Sequence, residues 1–507
     1  MEGAESDLRA LRASPRVSTL SADRSPVRSA SSAKPVCYHP YVVELREPLD
    51  ALIHPPSMFT RGTAFPRARE IRLYDTTLRD GEQTPGVAFT PEQKSELAGM
   101  LSDAGVHIID MGFPSAAPSE RRALELILEG KRKGRLRPDL EIIVMCRSSA
   151  RDIDLTLQTL EKMEARPEDC TFFIFTSGSD LHLKYKIGKT LLQLEGRAPE
   201  DWLDLPVSFY REANIRMACA AIRHARSRGV REIEFGGEDG SRADVGYLID
   251  LARACYEAGG TRYSFPDTVG FFAPEGVDYY IPKLVAAFPD RPLVVHFHND
   301  FGLGAYNTVR ALHHGATVPT CTVNGIGERA GNAPLHTTVM ILKELYGVSV
   351  PGFRYDMLWA LRRKVEEFSG IPVGATEPVI GHNVFSHETG IHTAGMTIHP
   401  AIYQVIEPET VGGRLRFLFG KHSGAMAIEA VLARHREELT AEGVEVTPQL
   451  VQLLLRLVKE VREKKALVSQ HLDGIRNYYS HLERLGLTEE DLVAYALVLG
   501  RNAGPGA

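Results

Sequence analysis

From Ile71 onward one pattern of apolar and polar positions recurs eight times: a short β-branched or apolar run, a polar loop, then apolar residues at helical spacing. The runs are 71–75, 107–111, 141–145, 171–176, 232–235, 263–265, 293–298 and about 320–323. Eight alternating units over ~270 residues predict an α/β fold, a (β/α)8 TIM barrel. Local chemistry agrees in the first unit, where Thr90 is placed to cap a helix, Pro91 stands at its first position, Gln93 completes a capping box and Gly105 ends it. Pro319 cannot donate to a ladder, so the eighth strand is expected to begin at or after it. Past about residue 346 the alternation stops. Residues 352–370 read as helix, 380–413 as a segment punctuated by Gly, His and Pro, and 424–498 as amphipathic helices such as 450–461. The expected organisation is an extension over 1–36, an arm over 37–69, a catalytic barrel over 70–345, a linker subdomain over 346–413 and a helical C-terminal subdomain over 414–507.

Composition narrows the class. Of 507 residues, 43% are apolar and 24% charged, an ordinary globular balance. Residues 1–36 hold eight Ser and five Arg and almost no large apolar residue, which predicts disorder. Glu2, Glu5, Asp7 and Asp23 argue against a transit peptide there. Residues 37–68 are Pro-rich yet carry Tyr38, Tyr41, Phe59 and Phe65, as expected of an arm lying on a folded body. No apolar run approaches the ~18 residues that span a bilayer, and a net charge of −6 gives no global reason to bind nucleic acid or an anionic membrane. Six scattered cysteines (Cys37, Cys146, Cys170, Cys219, Cys255 and Cys321) form no C-x-x-C motif, which points to a reducing, cytoplasmic setting without a disulfide framework.

In a TIM barrel the chemistry lies at the C-terminal ends of the strands. Strand one runs into Asp75-Thr-Thr-Leu-Arg79-Asp80-Gly-Glu82-Gln83, strand seven ends Val295-His296-Phe297-His298-Asn299-Asp300, and strand eight leads into Asn324-Gly-Ile-Gly-Glu328-Arg329-Ala-Gly331-Asn332. Alone, an Arg-Asp pair is ordinarily a structural ion pair, a His-x-His two satisfied histidines, and a glycine-rich loop only a loop. Here all three meet at one mouth, and residues i and i+2 of a strand share a face, so both imidazoles point inward. An Asp oxygen, two imidazoles and an Asn oxygen suit a divalent ion such as Mn²⁺, Mg²⁺ or Co²⁺, and Zn²⁺ is compatible with the same donors.

These three motifs resemble those of the 2-isopropylmalate synthase and homocitrate synthase family of metal-dependent TIM barrels, over about residues 70–470. The resemblance implies Asp80, His296, His298 and Asn332 as metal ligands, Arg79 as stabiliser of the enolate or alkoxide, and Thr268, in Pro266-Asp267-Thr268-Val269-Gly270, as the holder of a 2-oxo acid carboxylate. It implies acetyl-CoA as co-substrate. Phe385-Ser-His387-Glu388-Thr-Gly-Ile-His392 and Phe419-Gly420-Lys421-His422-Ser423-Gly424 resemble the linker subdomains of the synthases, which imply a domain-swapped homodimer with His392 and Tyr403 reaching the partner's barrel beside Glu238. Glu238 and His392 are then the candidates for taking the methyl proton of acetyl-CoA, and Gln83 faces the same mouth.

The resemblance extends to the pocket. Phe113 stands where homocitrate synthases place His, and Glu234 where they place Arg, so recognition of a distal carboxylate is missing. Phe113 and His182, in Asp180-Leu-His182-Leu-Lys-Tyr185-Lys186, resemble isopropylmalate synthases and imply an uncharged side chain such as that of 2-oxoisovalerate. Gly236-Gly237 departs from their usual Ser-Pro, Ser264 replaces a larger residue, and the 87 residues after Gly420 leave no expected leucine-sensing domain. An anionic 2-oxo acid (phosphonopyruvate, phosphinopyruvate, or oxaloacetate giving citrate) is the alternative, with Arg147, Lys184 or Lys186 supplying charge. A retro-aldol acyl-CoA lyase would use the same metal but give residues 380–424 no role.

Overall fold

The computed structural model describes residues 44–53, 60 and 62–464. The expected disordered extension, with Cys37, Tyr38, Tyr41 and Phe59, and the helices expected beyond 464, lie outside the described residues. Eight parallel strands close a barrel in chain order: β1 (Tyr74–Asp75), β2 (Ile108–Asp110), β3 (Glu141–Arg147), β4 (Thr171–Ser177), β5 (Ile233–Glu238), β6 (Arg262–Asp267), β7 (Leu293–Phe297) and β8 (Val318–Cys321). Closure is made at β1, where Tyr74 aligns with Ile108 on one side and Thr320 on the other. Helices cover the outside and side chains fill the lumen, so the strands are buried on both faces and read as apolar runs. β8 begins at Val318, with Pro319 inside it opposite Val295. Proline's fixed φ suits extended backbone and only one donor is lost, which the expectation of a later start overweighted.

The first helix, Pro91–Asp103, starts as its sequence predicts. Thr90 Oγ1 accepts from the Gln93 amide at 3.2 Å while Gln93 Oε1 accepts from the Thr90 amide at 2.8 Å. Beyond its end Gly105 has φ +85°, and a Cβ there would lie 2.1 Å from the Gly352 carbonyl oxygen. Conformation and close approach both require glycine. Deep in the lumen Tyr74, Ile108, Ile143, Val294 and Val318 form a buried layer against Phe173, the apolar base beneath the site. Beside it an ion network crosses the barrel: Arg262 Nη2 meets Glu141 Oε1 at 2.7 Å, and Arg262 Nε donates to Glu234 Oε2 at 2.9 Å. From the arm, Phe65 packs on His313 and Tyr346 with ring centroids 5.6 and 5.2 Å apart.

Two compact units divide the described residues: the barrel unit, 53–384 with 406–414, and a second unit, 44–52 with 385–405 and 415–464. The barrel unit includes the helix Leu358–Ser369 that follows the alternating region. The second unit holds a short parallel pair, β9 (Ser386–His387) and β10 (Arg416–Phe417), and the helices Gly390–Ile398, Ala425–Arg434, Arg436–Ala441 and Pro448–Lys464. Among the described residues no helix is long and apolar enough to cross a membrane, and the five described cysteines are free and buried.

Replacing Thr90 with Ala removes one half of the reciprocal cap. It is expected to destabilise the barrel by about 1 kcal/mol, read as a lower urea midpoint with an unchanged m value.

Candidate active site

Alternation along the strands decides which side chains meet at the mouth. From β5 the residues Glu234, Gly236 and Glu238 face the lumen, from β6 Ser264 and Pro266 with Thr268 just past its end, and from β7 His296 with His298 just past its end. Together with Arg79, Asp80 and Gln83 after β1, they line a cavity of about 450 Å³. The sequence-predicted residues gathered there are Arg79, Asp80, Gln83, Phe113, Glu238, Thr268, His296 and His298.

Asp80 lies between the two imidazoles, its Oδ2 3.2 Å from His296 Nε2 and 3.8 Å from His298 Nε2. One donor atom from each of the three falls within 4.8 Å of the others. His296 Nδ1 is held by Thr320 Oγ1 at 2.8 Å, which leaves Nε2 to face the cavity. Burial pushes the Asp80 carboxyl up, but Arg79 and the two imidazoles overcome it and hold the group well below the ordinary carboxylate range. Burial, reinforced by His296, lowers His298 to about 4, so its imidazole is neutral at physiological pH. Neutral imidazole and ionised carboxylate are the forms that bind metal.

Asn332 arrives by a separate route. The loop after β8 folds back on β7: His298 and Asn332 bridge, the Asn299 amide donates to Gly331 O at 2.9 Å, and the Ala333 amide donates to Phe297 O at 3.0 Å. Gly331, at φ +82°, passes so close to the Gly325 carbonyl that a Cβ would lie 1.8 Å from its oxygen. Asn332 Nδ2 donates to Ile326 O at 3.3 Å, while its Oδ1 is buried without a hydrogen-bond partner. A buried carboxylate and two imidazoles whose donor atoms converge form a set that a divalent ion could complete.

Arg79 is fixed by a carboxylate that sequence reasoning missed. Its Nε donates to Asp110 Oδ2 at 2.7 Å and its Nη1 lies 3.3 Å from Asp80 Oδ2, while Asp110 Oδ1 accepts from the Gly112 amide at 3.1 Å. The available signal was an acid at the C-terminal end of β2. Lys94, 1% exposed, bridges Glu82 and Glu120 at 2.6 and 2.5 Å and ties the loop after β1 to the following unit. Arg329, also missed, pairs through two nitrogens with Asp300 and donates to Thr268 O at 2.7 Å. Thr268 Oγ1 accepts from the Asp239 amide at 2.8 Å, which leaves its hydroxyl proton to donate elsewhere. Glu238 is paired with Lys186, a cation that lines the cavity.

Arg147, His182, Lys184 and Asn332, all expected at the site, do not line this cavity. Arg147 is drawn outward into a two-pronged pair with Asp152, at 2.6 and 2.9 Å, and its side chain is 68% exposed. His182 stands in the short helix Asp180–Tyr185 and faces Asp239 Oδ2 at 3.6 Å. Lys184 reaches the Leu205 carbonyl at 3.4 Å. In the second unit His392, on the helix Gly390–Ile398, stacks on Tyr403 with ring centroids 4.2 Å apart.

Comparison with known proteins agrees with this geometry. The HMGL-like family pattern matches residues 70–200 and 203–365, and the homocitrate synthase post-HMGL domain-like pattern matches 379–466. A probable 2-isopropylmalate synthase of Ignicoccus hospitalis is 40% identical over 72% of this chain and 82% of its own. The homocitrate synthase AksA of Methanopyrus kandleri is 37% identical over 79% and 90%, and the 2-isopropylmalate synthase of Methanocaldococcus jannaschii 35% identical over 80% and 71%. The chain therefore belongs to the HMGL-like barrels and, within them, to the family of 2-isopropylmalate and homocitrate synthases.

Replacing His298 with Ala is expected to weaken Mn²⁺ binding by at least the roughly 10–100-fold that loss of an outer partner costs a metal site. Calorimetric titration of chelator-stripped protein checks this, and unchanged affinity would remove His298 from the ligand set.

Proposed function

We propose that the protein condenses acetyl-CoA with a 2-oxo acid bearing an uncharged side chain, giving a 2-alkylmalate and CoA, in the manner of a 2-isopropylmalate synthase. The carrying observation is the cluster of Asp80, His296 and His298 beside Arg79 at the mouth of one cavity, in a chain whose relatives bear synthase names; Asn332 is taken as the fourth donor on the resemblance. A divalent ion bound by those four residues supplies Lewis acidity to the 2-oxo group, Mn²⁺ being the first candidate.

The chain's own groups do the rest. The Thr268 hydroxyl, already accepting from the Asp239 amide, donates to the substrate carboxylate. Glu238 or His392 takes a methyl proton from acetyl-CoA, and the resulting enolate attacks the 2-oxo carbon. Arg79, oriented by Asp110, donates to the oxygen on which negative charge develops. Water then releases CoA from the thioester. Phe113, edge-on to Phe175 at 5.8 Å, supplies an apolar wall for the side chain, and Gln83 lies at the entrance. His392 and Tyr403 act on the barrel of a second copy in a domain-swapped homodimer, supported by the resemblance of residues 385–424 to the synthase linkers. The catalytic domain is 70–345, followed by a linker subdomain, 346–413, and a C-terminal subdomain, 414–507, and the enzyme works in the cytoplasm.

With Mn²⁺, CoA-thiol release from acetyl-CoA is expected with 2-oxoisovalerate in preference to pyruvate, 2-oxoglutarate, oxaloacetate and phosphonopyruvate. Release with none of them would sink the reading, and preference for a dianion would overturn the uncharged side chain. Replacing His392 with Ala should lower kcat by ~10²-fold or more while 2-oxo acid binding persists. An unchanged rate removes it from the reaction.

A further inference from the structure

The floor of the cavity carries a polar group that the condensation does not use. Glu234 on β5 lines the cavity, and its side chain is 0% exposed. One oxygen is committed: Oε2 accepts from Arg262 Nε at 2.9 Å and lies 2.8 Å from Nη2. The other, Oε1, is buried without a partner. Two positions along the same face is Gly236, aligned with Ser264 of β6, so no side chain on β5 intervenes between Glu234 and Glu238. The hydroxyl of Tyr74, also buried and unpartnered, faces the same cavity, whose walls are the apolar Phe113, Met145, Phe173 and Phe175.

An unpaired buried oxygen at the end of an apolar channel is a strong discriminator, because a ligand that supplies its hydrogen bond is favoured over one of the same shape that leaves it unmade. Resting on the condensation reading, we propose that Glu234 determines specificity: its free oxygen accepts a hydrogen bond from a hydroxyl at the distal end of the 2-oxo acid's side chain. The substrate is then an uncharged, straight-chain hydroxylated 2-oxo acid, longer than 2-oxoisovalerate. A distal carboxylate or phosphonate brings only acceptors to this oxygen.

The test uses CoA release by the full-length Mn²⁺ enzyme on two isosteric pairs, 4-hydroxy-2-oxobutanoate against 2-oxopentanoate and 5-hydroxy-2-oxopentanoate against 2-oxohexanoate. In each pair a hydroxyl replaces the terminal methyl. In at least one pair kcat/KM is expected to favour the hydroxylated acid by about tenfold or more, and Glu234→Met should abolish or reverse that ratio. Because this variant leaves Arg262 short of a partner, the Glu234→Met/Arg262→Met double variant is measured beside it. Glu141 stays paired there through Arg72 at 3.0 Å, and thermal melting verifies that the protein is folded. Wild-type preference for the methyl acid in both pairs, or a ratio unmoved in the variants, would leave Glu234 as no more than a counter-ion for Arg262 and overturn the inference. Turnover of 2-oxoisovalerate alone among the acids overturns the inference and leaves the condensation intact, whereas no turnover of any acid overturns both.

Discussion

A parallel strand sends every second side chain to the same face, and closing eight strands makes one of those faces an enclosed lumen with a single chemical end. The site depends on that constraint. His296 and His298 converge because they are two residues apart at the end of β7. The same spacing stacks Glu234, Gly236 and Glu238 in a column on β5 and Ser264 and Pro266 on the neighbouring β6, with Thr268 just past its end. Below these columns the layer around Tyr74, Ile108 and Ile143 is closely packed and apolar, so the columns stand on a floor that resists collapse. One set of backbone hydrogen bonds thereby holds the two imidazoles, Glu238 and the cavity lining in register.

Within that frame, charge is placed in chains rather than in isolated pairs. Asp80 is shared between Arg79 and two imidazoles, Arg79 between Asp80 and Asp110, and Lys94 between Glu82 and Glu120. Asp80, Arg79 and Lys94 each have more than one partner, the condition under which desolvation is offset. Burial alone would favour a protonated Asp80; Arg79, aided by the imidazoles, reverses this. The result is an ionised carboxylate between two imidazoles. At the floor of the same cavity, Glu234 has one oxygen on Arg262 and the other unpaired, so the two carboxylates at the top and bottom of one cavity differ in character because their neighbours differ.

The cluster of Asp80, His296 and His298 was legible in the sequence because residue type and spacing suffice for it: an acid after β1 and His-x-His at the end of β7. The capping box at Thr90 was legible for the same reason, being local. Partnerships across the lumen were not. Arg262 meets Glu234 and Glu141 from 28 and 121 residues away, and nothing in one sequence announces such a pairing. Arg147 shows the converse error. It follows an inward strand and looks like a pocket cation, yet Asp152 in the first turn of the next helix captures it. Asp110 was overlooked because a single acid at a strand end carries no pattern until Arg79 is seen beside it.

Gly236 bears on how such a pocket can change over generations. In this backbone even a methyl group there would approach the Ser264 carbonyl oxygen to 2.5 Å, so a mutation at 236 demands that two neighbouring strands shift together. Flanking positions are different: an exchange at 264 alters the lining without moving a ladder, and one at 234 costs Arg262 a partner but not the strand pairing. Drift in substrate range is thereby channelled into a few positions, and new preferences can arise by single steps that leave the metal end of the barrel untouched.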